Sequence, residues 1–432
     1  MIARFRVKNF KPLEDVDLEF KKLNILVGPN NSGKTSFIQA LALLKQSAVI
    51  GSLSLNNSLV SLVRFEDVVF KHELSRDIEM SFSMPLKDKI SVIEEIIKHT
   101  PFTQFVLTEV NYDLALSSST GATIEYISGK LTDADRELLF KYDSKTGVQS
   151  VSPKFEGFRV SLYLFLCYLA GGESKTVSVS SRFSEIMVSK FREQLYYLKS
   201  LRGITSRQEK VMEHGGRYAR LPGDVGVRGE NTIAVLAFIR DDLRYRNVMK
   251  KIDAWATRFG FENVLSRLVE GPAYALNLMD RTLGLQTNIV DVGFGANSLL
   301  PVIVQCFYAP IGSMVMIEQP EVYMHPKMQA MLADLFLDVI SYGNQLIIET
   351  HSEHLLLRLQ TRIAEGKANP KDIAIYYFEG TEKGTKITKM ELDETGRFKE
   401  PLPEGFFEEG FKEALEHLRA MIPKGRGQGS DG

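Results

Sequence analysis

The stretch Gly28-Pro29-Asn30-Asn31-Ser32-Gly33-Lys34-Thr35 fits G-x-x-x-x-G-K-[ST] at every fixed position. Glycines at 28 and 33 let the backbone wrap a polyphosphate closely, so that successive N–H groups and the N-terminus of the following helix point at the anion. Lys34 then reaches the β- and γ-phosphates of ATP and the Thr35 hydroxyl holds Mg²⁺, with Asn30, Asn31, Ser32 and Ser36 lining the same loop. Such a loop needs an acid for the metal at the end of a buried strand, and Met314-Val-Met-Ile-Glu318-Gln319-Pro320-Glu321 supplies one in Glu318. A further apolar run ends in Glu349-Thr350-His351-Ser352. It sets an imidazole at the carboxyl edge of a sheet, where open α/β sheets bind ligands, and His351 is there a candidate sensor of the γ-phosphate.

These residues meet only if distant elements assemble around them. Leu23–Val27 reads as a buried strand running into the loop, and a helix follows from Gly33 to about Gln46, with Phe37, Leu41 and Leu44 on one face. Residues 2–7 and 15–20 alternate as a hairpin around Asn9-Phe10-Lys11-Pro12, and alternating segments between Ile78 and Pro153 predict antiparallel sheet, with a helix near Lys87–Lys98. Three- and four-residue apolar spacing then predicts helices over Val160–Ala170, Ser184–Leu201, Thr232–Arg240 and Arg244–Leu268, with Gly203–Gly229 as a long loop. Strands at Ala273–Met279, Leu285–Val290, Met314–Ile317, Gln345–Glu349 and Ile373–Phe378 alternate with helices at Ala296–Tyr308, Lys327–Ile340 and on to Glu365, the pattern of a parallel sheet.

The chain has 432 residues, more than a single core usually holds. At 44% apolar, 25% charged and a net charge of −1, it is neither a disordered chain nor an overall basic one, so any nucleic-acid surface is local. Lys199, Arg202, Arg207, Lys210, Arg217 and Arg220, followed by Arg240, Arg244, Arg246, Lys250 and Lys251, are the candidates for DNA phosphate contact. Cys167 and Cys306 are too few for a disulfide framework or zinc site, which points to a reducing, cytoplasmic location. No run is long and apolar enough for a signal peptide or a membrane span, so no membrane partner is expected.

The P-loop, Glu318-Gln-Pro-Glu and Thr350-His-Ser, in that order around a long insertion, resemble the ABC-class ATPase heads of the RecF, SMC and OLD (overcoming lysogenisation defect) group. Tyr197-Leu-Lys-Ser-Leu-Arg202, Asp291-Val-Gly-Phe-Gly-Ala-Asn-Ser298 and Pro403-Glu-Gly-Phe-Phe-Glu408 add to the likeness, which is greatest to compact stand-alone OLD-type members. The resemblance implies an α/β fold: an ABC-type head with mixed sheet, an antiparallel β-subdomain and an inserted, mainly helical region. The expected division is 1–60 and 271–400 for the two parts of the head, 61–157 for the β-rich subdomain, 158–270 for the helical insertion and 401–432 for a C-terminal helix and tail.

It also implies that Glu318 is the Walker B metal ligand and His351 the switch histidine. Gly293, Gly295 and Ser298 take the place of the signature that contacts ATP bound by a second head, so the chain would work as a homodimer or higher homo-oligomer. Gln46 stands where a Q-loop glutamine would. Gln319 departs from the usual catalytic glutamate. A carboxamide orients water without taking its proton, so slow hydrolysis is expected unless Glu321 or His351 supplies the base. The stretch after His351 is too short for a Toprim nuclease, which leaves any effector to a separately encoded protein. Two readings stay open: a sensor and regulator of such an effector in DNA repair or anti-phage defence, and an ATP-gated scaffold with little turnover.

Overall fold

The computed structural model describes residues 2–50, 54–90, 105–117, 121–133, 136–143, 149–152, 193–210, 222–268, 273–280, 284–401 and 403. The hairpin β1 (Arg4–Phe10) and β2 (Leu13–Glu19) leads into β3 (Leu23–Val27) and helix α1 (Lys34–Ile50), followed by the single turn α2 (Phe65–Val68). Strands β4 (Ile78–Ile90), β5 (Phe105–Ser117), β6 (Gly121–Asp133), β7 (Arg136–Asp143) and β8 (Gln149–Ser152) pair antiparallel. They continue the hairpin in one seven-stranded sheet of order β2-β1-β4-β5-β6-β7-β8, so the β-rich segment grows from the first residues of the chain.

Next come β9 (Leu195–Leu198), β10 (Glu209–Lys210), α3 (Thr232–Asp241), α4 (Arg246–Arg258), β11 (Glu262–Leu268), β12 (Ala273–Asp280) and β13 (Leu285–Asn288). The last part alternates α5 (Phe294–Tyr308), β14 (Met314–Glu318), α6 (Pro326–Tyr342), β15 (Gln345–Glu349), α7 (Glu353–Ala364), β16 (Ile373–Thr381) and β17 (Gly384–Met390). The central sheet has six strands in the order β17-β16-β3-β15-β14-β9, parallel except for the β17 edge. Its inner strands β3, β15 and β14 are buried along their whole length, which continuous apolar runs permit only when both faces are covered.

Two cores do the covering. One is shared by the parallel sheet, α1 and the antiparallel sheet, with the Phe37 ring at its centre, edge-on to Phe5, Phe20 and Phe378. The other packs α3 to α7 against the opposite face through Trp255, Leu299, Phe307, Leu335, Phe336 and Leu359. A mixed α/β head with an antiparallel sheet and added helices is therefore the fold, as the motif order predicts.

Three expected helices need correction. The helix over Arg244–Leu268 is α4 followed by strand β11: Gly260, at φ 93°, breaks it, and the Phe261 amide turns back to the Ala256 carbonyl at 2.8 Å in a Schellman cap. Within Ser184–Leu201, residues Leu195–Leu198 form β9, a parallel partner of β14; a four-residue apolar run has no period of its own. Near Lys87–Lys98, residues up to Ile90 extend strand β4. The expected helix at Val160–Ala170, the expected C-terminal helix, residues 211–221 of the long loop, and Cys167 lie outside the described residues. Among the described residues no helix is long and apolar enough to cross a membrane, and Cys306 is buried as a free thiol.

Candidate functional site

Parallel pairing fixes which strand ends are neighbours. β15 lies between β3 and β14, with Glu349 opposite Leu26 on one side and opposite Glu318 on the other, so the P-loop, Glu349 and Glu318 leave the sheet at one edge. Gly28 has φ 138° and a Cβ there would sit 2.1 Å from the Phe378 carbonyl oxygen. At Gly33, with φ 100°, it would meet the Thr385 hydroxyl at 2.5 Å. Glycine is thus demanded by the loop's backbone and by the strands packed against it. Asn30 and Asn31 are exposed, whereas Ser32, Gly33 and Lys34 are buried. Thr385 donates to the Ser32 carbonyl at 2.9 Å and pins the loop to β17.

The Lys34 ammonium donates to the Gly28 and Pro29 carbonyls at 3.0 and 2.7 Å. Burial lowers its pKa, and Glu349 partly opposes that shift. The Thr35 hydroxyl faces Glu349, 2.8 and 2.9 Å from its two carboxylate oxygens. Burial pushes the Glu349 carboxyl up to about 7 against the Thr35 hydrogen bond, and the Glu318 charge adds to the rise. Glu318, 5% exposed, accepts from the Tyr197 hydroxyl through Oε1 and from the Ser200 amide through Oε2 at 3.0 Å. Burial, then the Glu318 charge, raises the Tyr197 phenol, which keeps it a donor.

The turn after Glu318 is strained. Gln319 has φ 39° and is fixed at both ends of its peptide unit: its amide donates to the Glu349 carbonyl at 2.7 Å and its carbonyl accepts from Arg202 at 3.1 Å. Arg202 is 8% exposed and also donates to the carbonyls of Lys199, Ser298 and Glu318 at 2.8, 3.0 and 2.7 Å. Burial lowers its pKa to about 10. Glu321 is 8% exposed, and its Oε1 accepts the His351 amide at 2.7 Å. Burial raises its pKa, so Glu321 braces the histidine turn from behind. His351 is exposed as a residue, and partial burial of its ring, then the Lys34 charge, lowers its pKa.

Gly293 caps α5 and is exposed beside Phe294. Ser298 faces inward at 2% exposure, its hydroxyl 3.3 Å from the Gly295 carbonyl, and Asn297 clasps Ile204 through both its amide and its carbonyl. The surface here is instead Phe294 and Tyr323, 75% and 62% exposed, with ring centroids 5.5 Å apart. The Gln46 amide is spent on the backbone of Ser54, Leu59 and Val60, which puts it in a structural clasp at 2% exposure.

Sequence reasoning passes over three participants. Glu349 is named only as a strand end, and Tyr197 is read as part of a helix. Lys11, in the β1–β2 turn at φ 52°, lays its ammonium 2.6 Å from Gln39 Oε1 on α1. Burial lowers its pKa while the Glu318 charge opposes the shift, and its ammonium is held against the helix that follows the P-loop. A lysine in a hairpin turn carries no motif, and only the packing of the hairpin on the P-loop reveals it.

A hydroxyl with neighbouring carboxylates is the hard-oxygen donor set that suits Mg²⁺. Among the described residues no group of three or more His, Cys, Asp or Glu could hold a metal alone. The remaining ligands would therefore come from phosphate oxygens and water, the usual arrangement for Mg²⁺ on a nucleotide. Thr35 with Glu318 and Glu349 fits that role.

Residues 368–416 match a protein family of unknown function, DUF3696. The OLD nuclease of Thermus scotoductus is 48% identical over 44 residues, 10% of this chain and 8% of that protein's length. Among solved structures, an SMC head bound to the C-winged helix domain of ScpA superposes with TM-score 0.48 at 11% identity, covering 91% of this chain and 98% of that one. The SMC head domain of Thermotoga maritima gives TM-score 0.42 at 11% identity over 90% and 99% of the two chains. Residues 1–160 and 246–356, more than half of the chain and including the P-loop, Glu318, Glu349 and His351, match the AAA ATPase domain. The chain belongs to the AAA ATPase domain family.

Proposed function

We propose that this protein binds ATP with Mg²⁺ and hydrolyses it slowly, that its heads associate around the nucleotide, and that their association regulates a separately encoded effector in DNA repair or anti-phage defence. The observation that carries the reading is the sheet edge where Thr35, next to Lys34, meets Glu349, with Glu318 opposite Glu349 in register and a carboxamide, Gln319, after it. Lys34 holds the terminal phosphates, and Thr35 with Glu318 and Glu349 holds the metal. When bound there, Mg²⁺ would supply positive charge against the charge that develops on the transferring phosphate. Gln319, held in place by its strained peptide, orients water, and His351 reads the terminal phosphate.

Association is supported by the exposed pair Phe294 and Tyr323 beside Gly293 and Gly295, apolar surface that a second head would cover. This gives the signature stretch a role in which its backbone and aromatic rim, more than the inward Ser298, meet the second head. DNA is retained as a trigger to test. Several of the candidate basic residues are engaged internally: Arg207 with Asp291, Arg244 with Asp242, Lys251 with Asp338, and Arg202 in the site itself.

Light scattering with a slowly hydrolysed ATP analogue should show a mass increase over the nucleotide-free protein, and phosphate release should be low and change on adding duplex DNA. An unchanged mass would refute nucleotide-driven association. Gln319 also favours the second reading, an ATP-gated scaffold, which is the outcome if the mass rises while turnover stays negligible with and without DNA.

A further inference from the structure

Helices α4, α6 and α7 enclose a cleft of about 600 Å³, and none of its lining side chains belongs to the site above. Helical spacing gathers the charges that line it: Lys327 and Asp334 share one face of α6, and Arg358 and Arg362 share one face of α7. Arg258 of α4 and Lys367, just beyond α7, complete the set. Arg358 and Arg362 donate to Asp334 at 2.9 and 3.0 Å, while Arg362 and Lys367 pair with Glu365 at 2.5 and 2.9 Å. Five cations against these two carboxylates leave a surplus of three positive charges.

Two of the cations are held ready rather than spent. Among the described residues neither Arg258 nor Lys327 pairs with a carboxylate. The Arg258 guanidinium lies over the Trp255 ring, 4.6 Å from its centre, and that ring is itself fixed, 2% exposed with its Nε1 donating to Asp338 at 2.8 Å. Lys327 stands in the first turn of α6, which carries no acid. A helix start favours anions, so its own dipole opposes a lysine there, and stability alone would set an acid in that place. A cleft of this volume is of the size that holds small ligands. A phosphoryl group carries about −1.5 to −2 at pH 7, so two of them balance the surplus, and a planar guanidinium meets phosphate through two parallel bonds. We propose that the cleft is a second binding site, for a free small ligand carrying two phosphoryl groups. The proposal does not depend on what the P-loop binds.

Equilibrium dialysis with radiolabelled pyrophosphate in EDTA tests it. The full chain carries Lys34→Ala, which removes phosphate binding at the P-loop, and is compared with the same chain bearing Arg258→Gln and Lys327→Gln as well. Equal denaturant midpoints establish that the added changes, both at exposed side chains, leave the fold intact. The Lys34→Ala chain should bind pyrophosphate at a single site, and the two added substitutions should weaken that binding by about 10- to 100-fold, as for losing hydrogen bonds between charged groups. Lys327→Gln alone should give part of the loss. Absence of pyrophosphate binding by the Lys34→Ala chain overturns the proposal, as does an affinity that both substitutions leave unchanged. Tricarballylate, which brings carboxylates in place of phosphoryl groups, should displace pyrophosphate poorly, and equal displacement would overturn the assignment to phosphate. A single-stranded oligonucleotide that binds through Arg258 and Lys327 where pyrophosphate does not would overturn the free ligand in favour of a nucleic-acid backbone.

Discussion

Replacing Gln319 by glutamate tests the proposal that turnover is slow and that the carboxamide is the reason. Its main chain is set by bonds to the Glu349 carbonyl at 2.7 Å and from Arg202 at 3.1 Å, independent of the side chain, so an isosteric glutamate starts from the same Cα–Cβ vector at the same φ of 39°. A carboxylate there gains general-base catalysis, about 10²-fold at the low end of its range. It also joins a site already rich in negative charge: Glu318 is adjacent in sequence, and Glu349 is pushed up to about 7 by burial with Glu318 adding to the rise. One neighbouring charge at about 6 Å, with an effective dielectric near 20, repels by about 3 kcal/mol, which raises the new carboxyl by about 2 pKa units. That repulsion brings a glutamate from about 4.3 to about 6.5, close to the pH where a general base works best. Gln319→Glu should therefore hydrolyse ATP about 10- to 100-fold faster than wild type at pH 8, with a rate that climbs through about pH 6.5 where the wild type is flat. Phosphate release at saturating ATP is the assay, run beside Glu321→Gln and His351→Ala. The reasoning fails if Gln319→Glu is no faster while Glu321→Gln collapses, since the base would then be the carboxylate two residues on. The burial of Glu321 behind the His351 amide argues against that outcome.

Lys34→Ala should lose nucleotide binding by at least about 10²-fold, since no other cation of the loop reaches the terminal phosphates; binding within tenfold of wild type would count against the P-loop assignment. Arg202→Ala strips the donor from four carbonyls on three segments, two of the bonds buried and two part-buried, and should cost about 2–6 kcal/mol at about 1–3 for each buried acceptor left unsatisfied. Denaturant unfolding measures this, and a cost under about 1 kcal/mol would show that the clasp does not hold the edge together. Asp334 joins α6 to α7: burial raises its pKa, but hydrogen bonds from Arg362 and Arg358 outweigh that and leave it lowered. With the folded value depressed, the unfolded chain binds the proton first, so this stabilisation is present above about pH 4 and is lost as pH falls through the folded value. Asp334→Asn should be less stable at neutral pH by about 1–2 kcal/mol, the partial exposure of the pair being allowed for, and should lose less on acidification. Equal acid slopes in the two proteins would contradict the assignment.

What the sequence discloses here is whatever one short stretch must do alone. The P-loop is such a stretch: Gly28 and Gly33 occupy backbone conformations that other residues resist, and the glycines, Lys34 and Thr35 fall at fixed spacing. The apolar runs ending at Glu318 and Glu349 are equally legible as buried strands. Gly260 marked the end of α4 and could have separated it from β11, because an αL glycine is the usual C-terminal stop. Tyr197 carried no such signal, since four apolar residues fit a buried strand or a turn of helix alike. The choice was made by β14, which supplies the hydrogen bonds. The same holds for the two glutamates. Each ends a buried strand, and nothing within either strand says which lies beside Thr35. That depends on β15 entering the sheet between β3 and β14, an order fixed by crossovers through α5, α6 and α7 on one face. The hydroxyl of Thr35 meets whichever carboxylate the sheet sets next to it, and in this fold that is Glu349.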